Sequence, residues 1–418
     1  MSWINNFFNR NRVRNFQKKL GVFLLCFLIV IFILEIFSFF ANKILFKSSN
    51  KNEFVRQIVE DKNCTYFDLL FPHPYLGYVY NANEPCNIKV NKSGFIDSAE
   101  TPMEKDNSKF YIGILGGSVA DQMAFTKGNK YLQAELNRCY INPKNKEFVT
   151  VKFASGGWKQ PQAVISTLLF SRFLDGIISL EGFNEHYMIV NPYVTLGMPS
   201  NNFAQATNMR YVELKYLENL MGINSSIAKV MNKFWIAKNS QTMILIYSSL
   251  AKVINSTNPN GAYDLKTSYS GLFSFPEGWS MEKKRDFNFE EYKYYSFITK
   301  KMADLNSLKS AFFIQPVPAY GKKLTSEEQK VVGDLSYKDT YKKIERDLLK
   351  LNDKGVPFYS LTDVFKEYGD EQIYSDAIHY KFDYDAKSSL GYEIVAREIA
   401  SKIATKWGFI KKSECKNK

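Results

Sequence analysis

The chain has few of the residues that metal sites use. Its 418 residues include three histidines, His73, His186 and His379, and five cysteines. No Cys/His grouping has the spacing of metal ligands, so we expect neither a metal nor a cofactor. Internal repeats and low-complexity tracts are also absent from the sequence. Because 45% of the residues are hydrophobic and 16% aromatic, we expect a packed core, with disorder confined to the chain ends.

Acidic residues are fewer than basic ones, 42 against 55, which gives a formal net charge of +13. Part of the excess lies in the N-terminal tail and in Lys411, Lys412, Lys416 and Lys418, and the rest is mixed with acids along the chain. This pattern does not favour a nucleic-acid partner. Scattered positive charge is typical of solvated faces, and outside the cytoplasm it favours anionic lipid or acidic glycans.

One long hydrophobic run, residues 20–41, is sufficient to span a bilayer as a helix. Basic residues at positions 10, 12, 14, 18 and 19 precede it, so the positive-inside rule leaves residues 1–19 in the cytoplasm. Everything after Ala41 then lies on the periplasmic side of a bacterial inner membrane. A cleaved signal peptide is the competing interpretation, but its apolar region is shorter and Phe39 disrupts the cleavage pattern. Glu35 interrupts the run near its outer end, where it reaches the interface or a partner helix.

The cysteines agree with this placement. Cys26 falls in the membrane, whereas the other four fall outside, where disulfides persist. Four cysteines allow three pairings, and Cys64 with Cys86 is the pairing that we favour first.

The stretch Ile112-Gly113-Ile114-Leu115-Gly116-Gly117-Ser118 is typical of a buried strand that ends in two glycines and a serine. The glycines allow a sharp turn and leave room for a substrate beside the hydroxyl. A helix is predicted over Tyr131–Cys139, so Ser118 is expected at or near a helix N-terminus, where free N–H groups stabilise negative charge. Ser118 is therefore a candidate nucleophile.

A serine needs a base to become nucleophilic near neutral pH, and Asp376-Ala377-Ile378-His379 supplies one. Residues three apart share one side of a turn, so Asp376 is placed to orient the His379 imidazole and to fix its tautomer. His73 and His186 have no acid three residues before them and are expected to be structural.

Two further apolar runs, Phe148–Phe153 and Gly176–Leu180, are each followed by small or amide residues. Gly156, Gly157 and Trp158 follow the first run, and Asn184 and Glu185 follow the second. Carboxyl ends of parallel strands line one edge of a sheet, where ligands bind. The N–H groups of Ser118 and Gly157 and the Asn184 amide are then expected to converge on a developing oxyanion. Glu185 is expected to stabilise the Asn184 loop, and Asp121 to cap the helix after Ser118.

Four sequence blocks resemble the SGNH hydrolases, also called GDSL-type esterases, in their order along the chain. They are Gly116-Gly117-Ser118, Gly156-Gly157-Trp158, Gly182-Phe183-Asn184-Glu185 and Asp376-Ala377-Ile378-His379. The resemblance extends from about Pro74 to Trp407, except the middle, and implies a three-layer, flavodoxin-like α/β fold. It assigns Ser118, Asp376 and His379 as the catalytic triad and Ser118, Gly157 and Asn184 as the oxyanion hole. Gly117 stands where the commonest form of the family has an acid. An α/β-hydrolase fits less well, because its elbow requires Gly at position 120, which is Ala here.

The predicted organisation has seven parts. They are a tail (1–19), an anchor (20–41), a stem (42–108), the first catalytic part (109–198), a largely helical insertion (199–307), the second catalytic part (308–410) and a basic tail (411–418).

The resemblance implies a serine ester hydrolase. With an anchor that faces the periplasm, we expect it to act on an O-acyl ester of an envelope glycan, with acetyl as the expected acyl group. Two alternatives stay open at this point. The same serine serves an O-acyltransferase if the pocket excludes water and admits a sugar hydroxyl. A membrane-anchored scaffold without activity is the third possibility, motivated by Gly117 and by the size of the insertion.

Overall fold

A computed structural model of the chain describes residues 2–45, 70–82, 89–96, 99–102, 104–124, 130–197, most of 222–257, 273–383 and 385–415. The chain divides into two units. The first consists of residues 1–65 and 210–261, and the second consists of residues 66–209 and 262–418. Cys64, Cys86 and the sequence predicted as the start of the insertion (199–221) lie outside the described residues.

The described strands are β1 (Leu70–His73), β2 (Gly77–Tyr80), β3 (Lys109–Gly116), β4 (Tyr140–Ile141), β5 (Glu147–Ala154), β6 (Gly176–Glu181), β7 (Lys309–Ile314), β8 (Phe358–Ser360) and β9 (Ile410–Lys411). The principal helices are α1 (Ser2–Leu45), α2 (Ser118–Ala124), α3 (Tyr131–Cys139), α4 (Gln162–Phe170), α5 (Phe183–Val190), α6 (Gln241–Thr257), α7 (Met281–Leu305), α8 (Ser326–Val331), α9 (Lys338–Leu349) and α10 (Leu390–Trp407).

The second unit is built on a five-stranded parallel sheet with the spatial order β5-β3-β6-β7-β8. Taken in sequence order this is 2-1-3-4-5, one of the common orders of doubly wound sheets. After β3, the chain adds β5 on one side of it and then adds β6, β7 and β8 on the other side. Ligands of such sheets bind at the carboxyl ends of the two strands where the winding reverses, which are here β3 and β6.

Both faces of this sheet are covered, as continuous apolar strands require. Side chains of a strand alternate between faces. Ile112 and Ile114 of β3 pack with helices α2, α3 and α10, whereas Tyr111 and Leu115 pack with the β1–β2 hairpin and α4. Toward the β8 edge, α5, α7 and α9 complete the second face. The prediction of a mixed α/β fold with a parallel sheet is thus confirmed.

The second unit contains elements from two regions that the sequence analysis set apart from the catalytic domain. The β1–β2 hairpin belongs to the predicted stem, and α7 belongs to the predicted insertion. Asn288 of α7 is fully buried, where it bonds Met188 O, Val194 O and the Leu196 N–H. Of the described residues of the insertion, those at 222–257 belong to the first unit and those from 273 onward belong to the second unit.

Cys139 and Cys415 form a disulfide with Cα atoms 5.5 Å apart. It joins the end of α3 to the C-terminal segment, next to the short β4–β9 pair. Since Cys139 and Cys415 are joined to each other, of the three pairings only the one that also joins Cys64 to Cys86 remains compatible.

The first unit contains the apolar helix predicted from the sequence. Within α1, Lys18–Ala41 is long and apolar enough to cross a membrane, the one such helix among the described residues. Its large apolar side chains are mostly exposed. Cys26, the free cysteine of the described residues, lies on this exposed surface.

Candidate active site

Ser118 lies where the sequence places a nucleophile, directly after β3. It is the first residue of α2, and Gly117 alone separates it from Gly116, the last residue of the buried strand. The sequence analysis expected one helix after this serine, at Tyr131–Cys139. The structure has that helix as α3 and adds the short α2 before it.

The structure brings His379 and Asp376 to Ser118 from the other end of the chain, 261 residues away in sequence. His379 Nε2 lies 2.8 Å from Ser118 Oγ, and His379 Nδ1 lies 2.8 Å from Asp376 Oδ2. The second carboxylate oxygen of Asp376 accepts the N–H groups of Ile378 and His379, both at 2.8 Å. These two bonds form because the four residues make one tight turn. They hold the carboxylate against the imidazole that it orients.

Burial raises the pKa of Asp376, but the hydrogen bonds from the His379 ring and from the N–H groups of His379 and Ile378 outweigh it and lower that pKa to about 2. Asp376 is therefore ionised at any physiological pH. An ionised acceptor favours the tautomer with the proton on Nδ1, which leaves the lone pair of Nε2 directed at the serine hydroxyl.

The two glycines before Ser118 are explained by close approach. Gly116 has φ +144°, and a Cβ there would lie 2.2 Å from Leu180 O. At Gly117 a Cβ would lie 2.4 Å from Asn184 Nδ2 and 2.8 Å from Trp158 O. A side chain at position 117 would therefore displace the Asn184 amide. Gly117, the residue before Ser118, thus leaves the space that the Asn184 amide occupies.

The predicted oxyanion donors come from three different strand ends. Asn184, in the first turn of α5, donates through Nδ2 to Trp158 O at 2.7 Å, which joins it to the Gly157 loop. Gly157 has φ +78° and is partly exposed. Among the described residues the Gly157 N–H has no hydrogen-bond acceptor. The structure thus brings the Asn184 amide and the Gly157 loop to the residue before Ser118.

A buried polar cluster lies beneath this loop. The Glu185 carboxylate accepts the N–H groups of Gly182 (2.9 Å) and Gln160 (3.0 Å), so it joins the two loops, as predicted for Glu185. The Gln160 side chain donates to Glu181 at 2.8 Å. The Lys159 ammonium bonds the carbonyl oxygens of Gln160 and Leu196.

Burial dominates the ionisation of these groups. It raises the pKa of Glu181 well above the ordinary value and, less strongly, that of Glu185, whose hydrogen bonds from backbone N–H groups and nearby Lys159 oppose the rise. Burial also lowers the pKa of Lys159 to about 8. Burial therefore favours the protonated form of Glu181, next to a Glu185 that is held by backbone donors.

A second polar network joins the hairpin to the nucleophile helix. Tyr80 donates to Asp121 Oδ2 at 2.9 Å and accepts the Gly156 N–H at 3.3 Å, while Tyr78 donates to Gly156 O at 2.5 Å. Asp121 also forms a buried ion pair with Lys152, at 2.6 Å. The prediction that Asp121 caps its helix is thus replaced by a different role, because Asp121 lies inside α2 and faces the sheet.

The other two histidines have hydrogen-bond partners away from Ser118. His73 Nδ1 accepts the N–H groups of Tyr75 and Leu76 in the β1–β2 turn. His186 is buried and bonds Thr340 of α9 at 3.0 Å, and burial lowers its pKa to about 4. No group of three or more His, Cys, Asp or Glu side chains within the described ranges is placed to hold a metal ion.

A cavity of about 950 Å³ opens at the same edge of the sheet. Its walls are the loop after β7, the loop after β8 and the first turns of α9, which contacts α5 through Thr340 and His186. Basic side chains outnumber acidic ones in its lining. The basic ones are Lys322, Lys323, Lys338, Lys342, Lys343, Arg346 and Lys366, and the acidic ones are Asp339, Glu345 and Asp363. Lysines that are scattered in the sequence are therefore concentrated here by the fold.

The sequence analysis did not find the Lys152–Asp121–Tyr80 network or the role of Gln160. Lys152 within an apolar strand was the available signal, because a buried lysine requires a partner. No family model matches the chain, and no curated protein is similar to it.

Proposed function

We propose that this protein is a membrane-anchored serine ester hydrolase of the SGNH type, with a flavodoxin-like catalytic domain. The observation that carries the proposal is the continuous relay from Asp376 through His379 to Ser118, with 2.8 Å at each step. The inactive scaffold is disfavoured, because the relay is complete and Gly117 makes room for Asn184.

In the proposed reaction, Ser118 Oγ attacks the ester carbonyl while its proton passes to His379 Nε2. The imidazolium that forms is stabilised by ionised Asp376. Collapse of the tetrahedral intermediate breaks the ester bond, and the alcohol leaves with the proton from His379. Water then attacks the acyl-enzyme, His379 accepts its proton, and the carboxylic acid leaves as Ser118 Oγ is reprotonated.

The negative charge on the carbonyl oxygen requires donors in the tetrahedral intermediate. We assign the N–H groups of Ser118 and Gly157 and the Asn184 amide to this role. The support is that the three loops converge at Gly117, where the Asn184 amide and Trp158 O leave no space for a Cβ. Each such donor is worth roughly 10²–10³ in turnover in comparable sites.

For the substrate we propose an O-acyl ester of an acidic envelope glycan. The basic cavity lies at the same edge of the sheet as Ser118. With strands about 4.8 Å apart, β8 lies roughly 14 Å from β3. A glycan bound across this edge therefore spans both sites. The basic residues at positions 10, 12, 14, 18 and 19 support a catalytic unit outside the cytoplasm, where such glycans occur, because they precede the apolar span.

The test uses the full-length protein with p-nitrophenyl acetate and with a serine-reactive fluorophosphonate. We expect Ser118→Ala to lose turnover by at least about 10³-fold and to lose labelling, because the nucleophile is gone. Ser326→Ala, at an exposed serine in α8, is the matched control and should keep both. Unchanged hydrolysis in Ser118→Ala would remove the serine from the reaction.

Hydrolysis and transfer are separated with an isotopically labelled acyl donor, supplied with and without an acceptor glycan. The proposal expects free labelled acid in both cases. Label found on the glycan would assign the same serine to an acyltransferase instead.

A further inference from the structure

Glu35 is a carboxylate within the apolar span Lys18–Ala41, and the structure shows what it binds. It accepts the backbone N–H of Gln241 at 2.6 Å and that of Thr242 at 3.3 Å, and it also bonds the Ser240 hydroxyl. One turn further along α1, Ser38 Oγ donates to Thr242 Oγ1 at 3.1 Å, and Ser38 is only 2% exposed. Glu35 thus caps the N-terminus of α6, and α6 packs along α1.

The depth of this contact follows from helix geometry. Glu35 lies six residues before Ala41, which is about 9 Å along the helix axis. If Lys18–Ala41 spans the bilayer, the first turn of α6 begins inside the hydrocarbon layer. Helix N-termini carry up to four N–H groups without intrahelical partners, and lipid offers no acceptor for them. The Glu35 carboxylate satisfies two of them and gains compensating donors for its own charge.

The composition of α6 fits the same environment. Its 17 residues include one charged side chain, Lys252, near the C-terminal end. Ile246 and Val253 are each 43% exposed, although α6 packs against α1. The described part of the preceding segment also exposes Ile223, Val230 and Phe234 beside Lys229 and Lys233. Exposed apolar side chains next to lysines are typical of helices at a membrane surface.

We propose that the 222–257 segment is a second membrane element, docked on the anchor by Glu35, with lipid acyl chains covering its exposed apolar side chains. Continuity with the exposed apolar surface of α1 identifies lipid as the occupant. The proposal depends on the anchor spanning the membrane but not on the esterase activity, and it goes beyond that activity because it assigns part of the insertion to the bilayer.

The first test measures the surroundings of position 246. A fluorophore is attached to Ile246→Cys in full-length protein in liposomes, with Cys26, Cys64 and Cys86 changed to serine. We expect quenching by nitroxide-labelled lipid and several-fold protection from aqueous iodide. Leu305→Cys, at an 85% exposed position in the other unit, is the control for accessibility to iodide. Iodide quenching at 246 equal to that at 305, with no lipid quenching, would overturn the proposal.

The second test measures the docking itself by cross-linking in membranes. Ser38→Cys with Thr242→Cys should form a disulfide in high yield, because the two native side chains are hydrogen-bonded. Phe37→Cys with Thr242→Cys is the matched control, since Phe37 points to a different side of α1 and is largely exposed. Equal yields from the two pairs would contradict the docking.

Adding Glu35→Leu to the 38/242 pair should lower the yield several-fold, whereas Glu35→Gln, which keeps an acceptor oxygen, should lower it less. An unchanged yield with Glu35→Leu would exclude Glu35 as the residue that docks α6. Hydrolysis of p-nitrophenyl acetate is measured in parallel and should not change in either variant. Loss of docking is thereby distinguished from failure of the proposed activity.

Discussion

Glu35 in the first unit and Glu181 in the second are both carboxyl groups in apolar surroundings, and the two units accommodate them differently. Glu35 is bonded to the N-terminus of a helix, whose N–H groups and dipole favour a negative charge. Glu181 lies at the end of a buried strand with a single amide donor, and burial raises its pKa. The comparison indicates that the hydrogen-bond donors around a carboxyl group, and not its burial alone, decide whether the ionised form is favoured.

Asp376 extends the comparison, because it is half exposed and has three donors. The three carboxyls therefore predict three different results for the same change from acid to amide. The effects are expected to decrease from Asp376, through Asn184 and Glu181, to the basic cavity, where Lys342 and Lys343 are exposed to solvent.

Asp376→Asn should lower kcat for p-nitrophenyl acetate by about 10⁴, because the amide favours the wrong tautomer of His379. KM should change little, since Asp376 acts through the imidazole. Glu35→Gln, the same chemical change in the first unit, is the control and should leave kcat within a factor of two. A small effect of Asp376→Asn would show that the relay is not used.

Asn184→Ala should lower kcat by roughly 10²–10³, because one donor to the oxyanion is lost. Part of the effect can arise from the lost bond to Trp158 O, so Gly117→Ala is measured beside it. Gly117→Ala keeps the Asn184 side chain but displaces it, and we expect a loss of similar size. Normal turnover in Gly117→Ala would contradict the assignment of Asn184 as a donor at this position.

Glu181→Gln tests the raised pKa of the Glu181 carboxyl through the pH dependence of stability. Because the pKa of Glu181 is higher in the folded chain than in the unfolded chain, the folded state binds more protons above about pH 4.5. The free energy of unfolding of the wild type must then fall with rising pH, by at most about 1.4 kcal/mol per pH unit from this group. The Glu181→Gln variant lacks this contribution.

We therefore expect Glu181→Gln to gain stability relative to the wild type as the pH rises from 5 to 8. The measurement is the thermal unfolding midpoint by tryptophan fluorescence, to which Trp158, Trp279 and Trp407 of the second unit contribute. Glu371→Gln, at an exposed position, is the control and should show no such trend. A difference that is independent of pH would mean that Glu181 is ionised in the folded state.

The basic cavity should give the smallest effect. Lys342→Glu combined with Lys343→Glu should raise KM for an O-acetylated oligogalacturonate by about 4-fold. An exposed charge contributes roughly 0.2 kcal/mol at the low end, and reversal of two charges then changes binding by about 0.8 kcal/mol. The KM for p-nitrophenyl acetate should not change, and added salt should reduce the difference. Lys144→Glu with Lys146→Glu, at the opposite edge of the sheet, is the control. An equal effect of both pairs would assign the cavity no role.

Much of the second unit follows from local sequence pattern. Tyr131–Cys139 was predicted as a helix with the observed bounds, and the runs at 148–153 and 176–180 are strands within one residue at each end. These segments are predictable because a buried parallel strand is apolar throughout and because glycines mark its end. Asp376 and His379 form a local turn, so their contact is also encoded by sequence spacing.

The failures involve contacts between distant segments. Asp121 was expected to cap the helix that follows Ser118, but it is paired with Lys152 and Tyr80 from two other elements. The stem and the insertion were each treated as one piece, yet the β1–β2 hairpin and α7 pack on the sheet while Glu35 holds α6. Nothing local to these residues specifies such partners.

The sequence by itself determined the candidate site residues, the apolar span and the strands of the sheet, because each of these is encoded by neighbouring residues and by periodicity. Only the tertiary structure decided that Ser118 meets His379, that Asn184 fills the space beside Gly117, and that seven basic side chains share one cavity. Such meetings depend on the order in which strands join the sheet, and hydrophobic pattern alone does not specify that order.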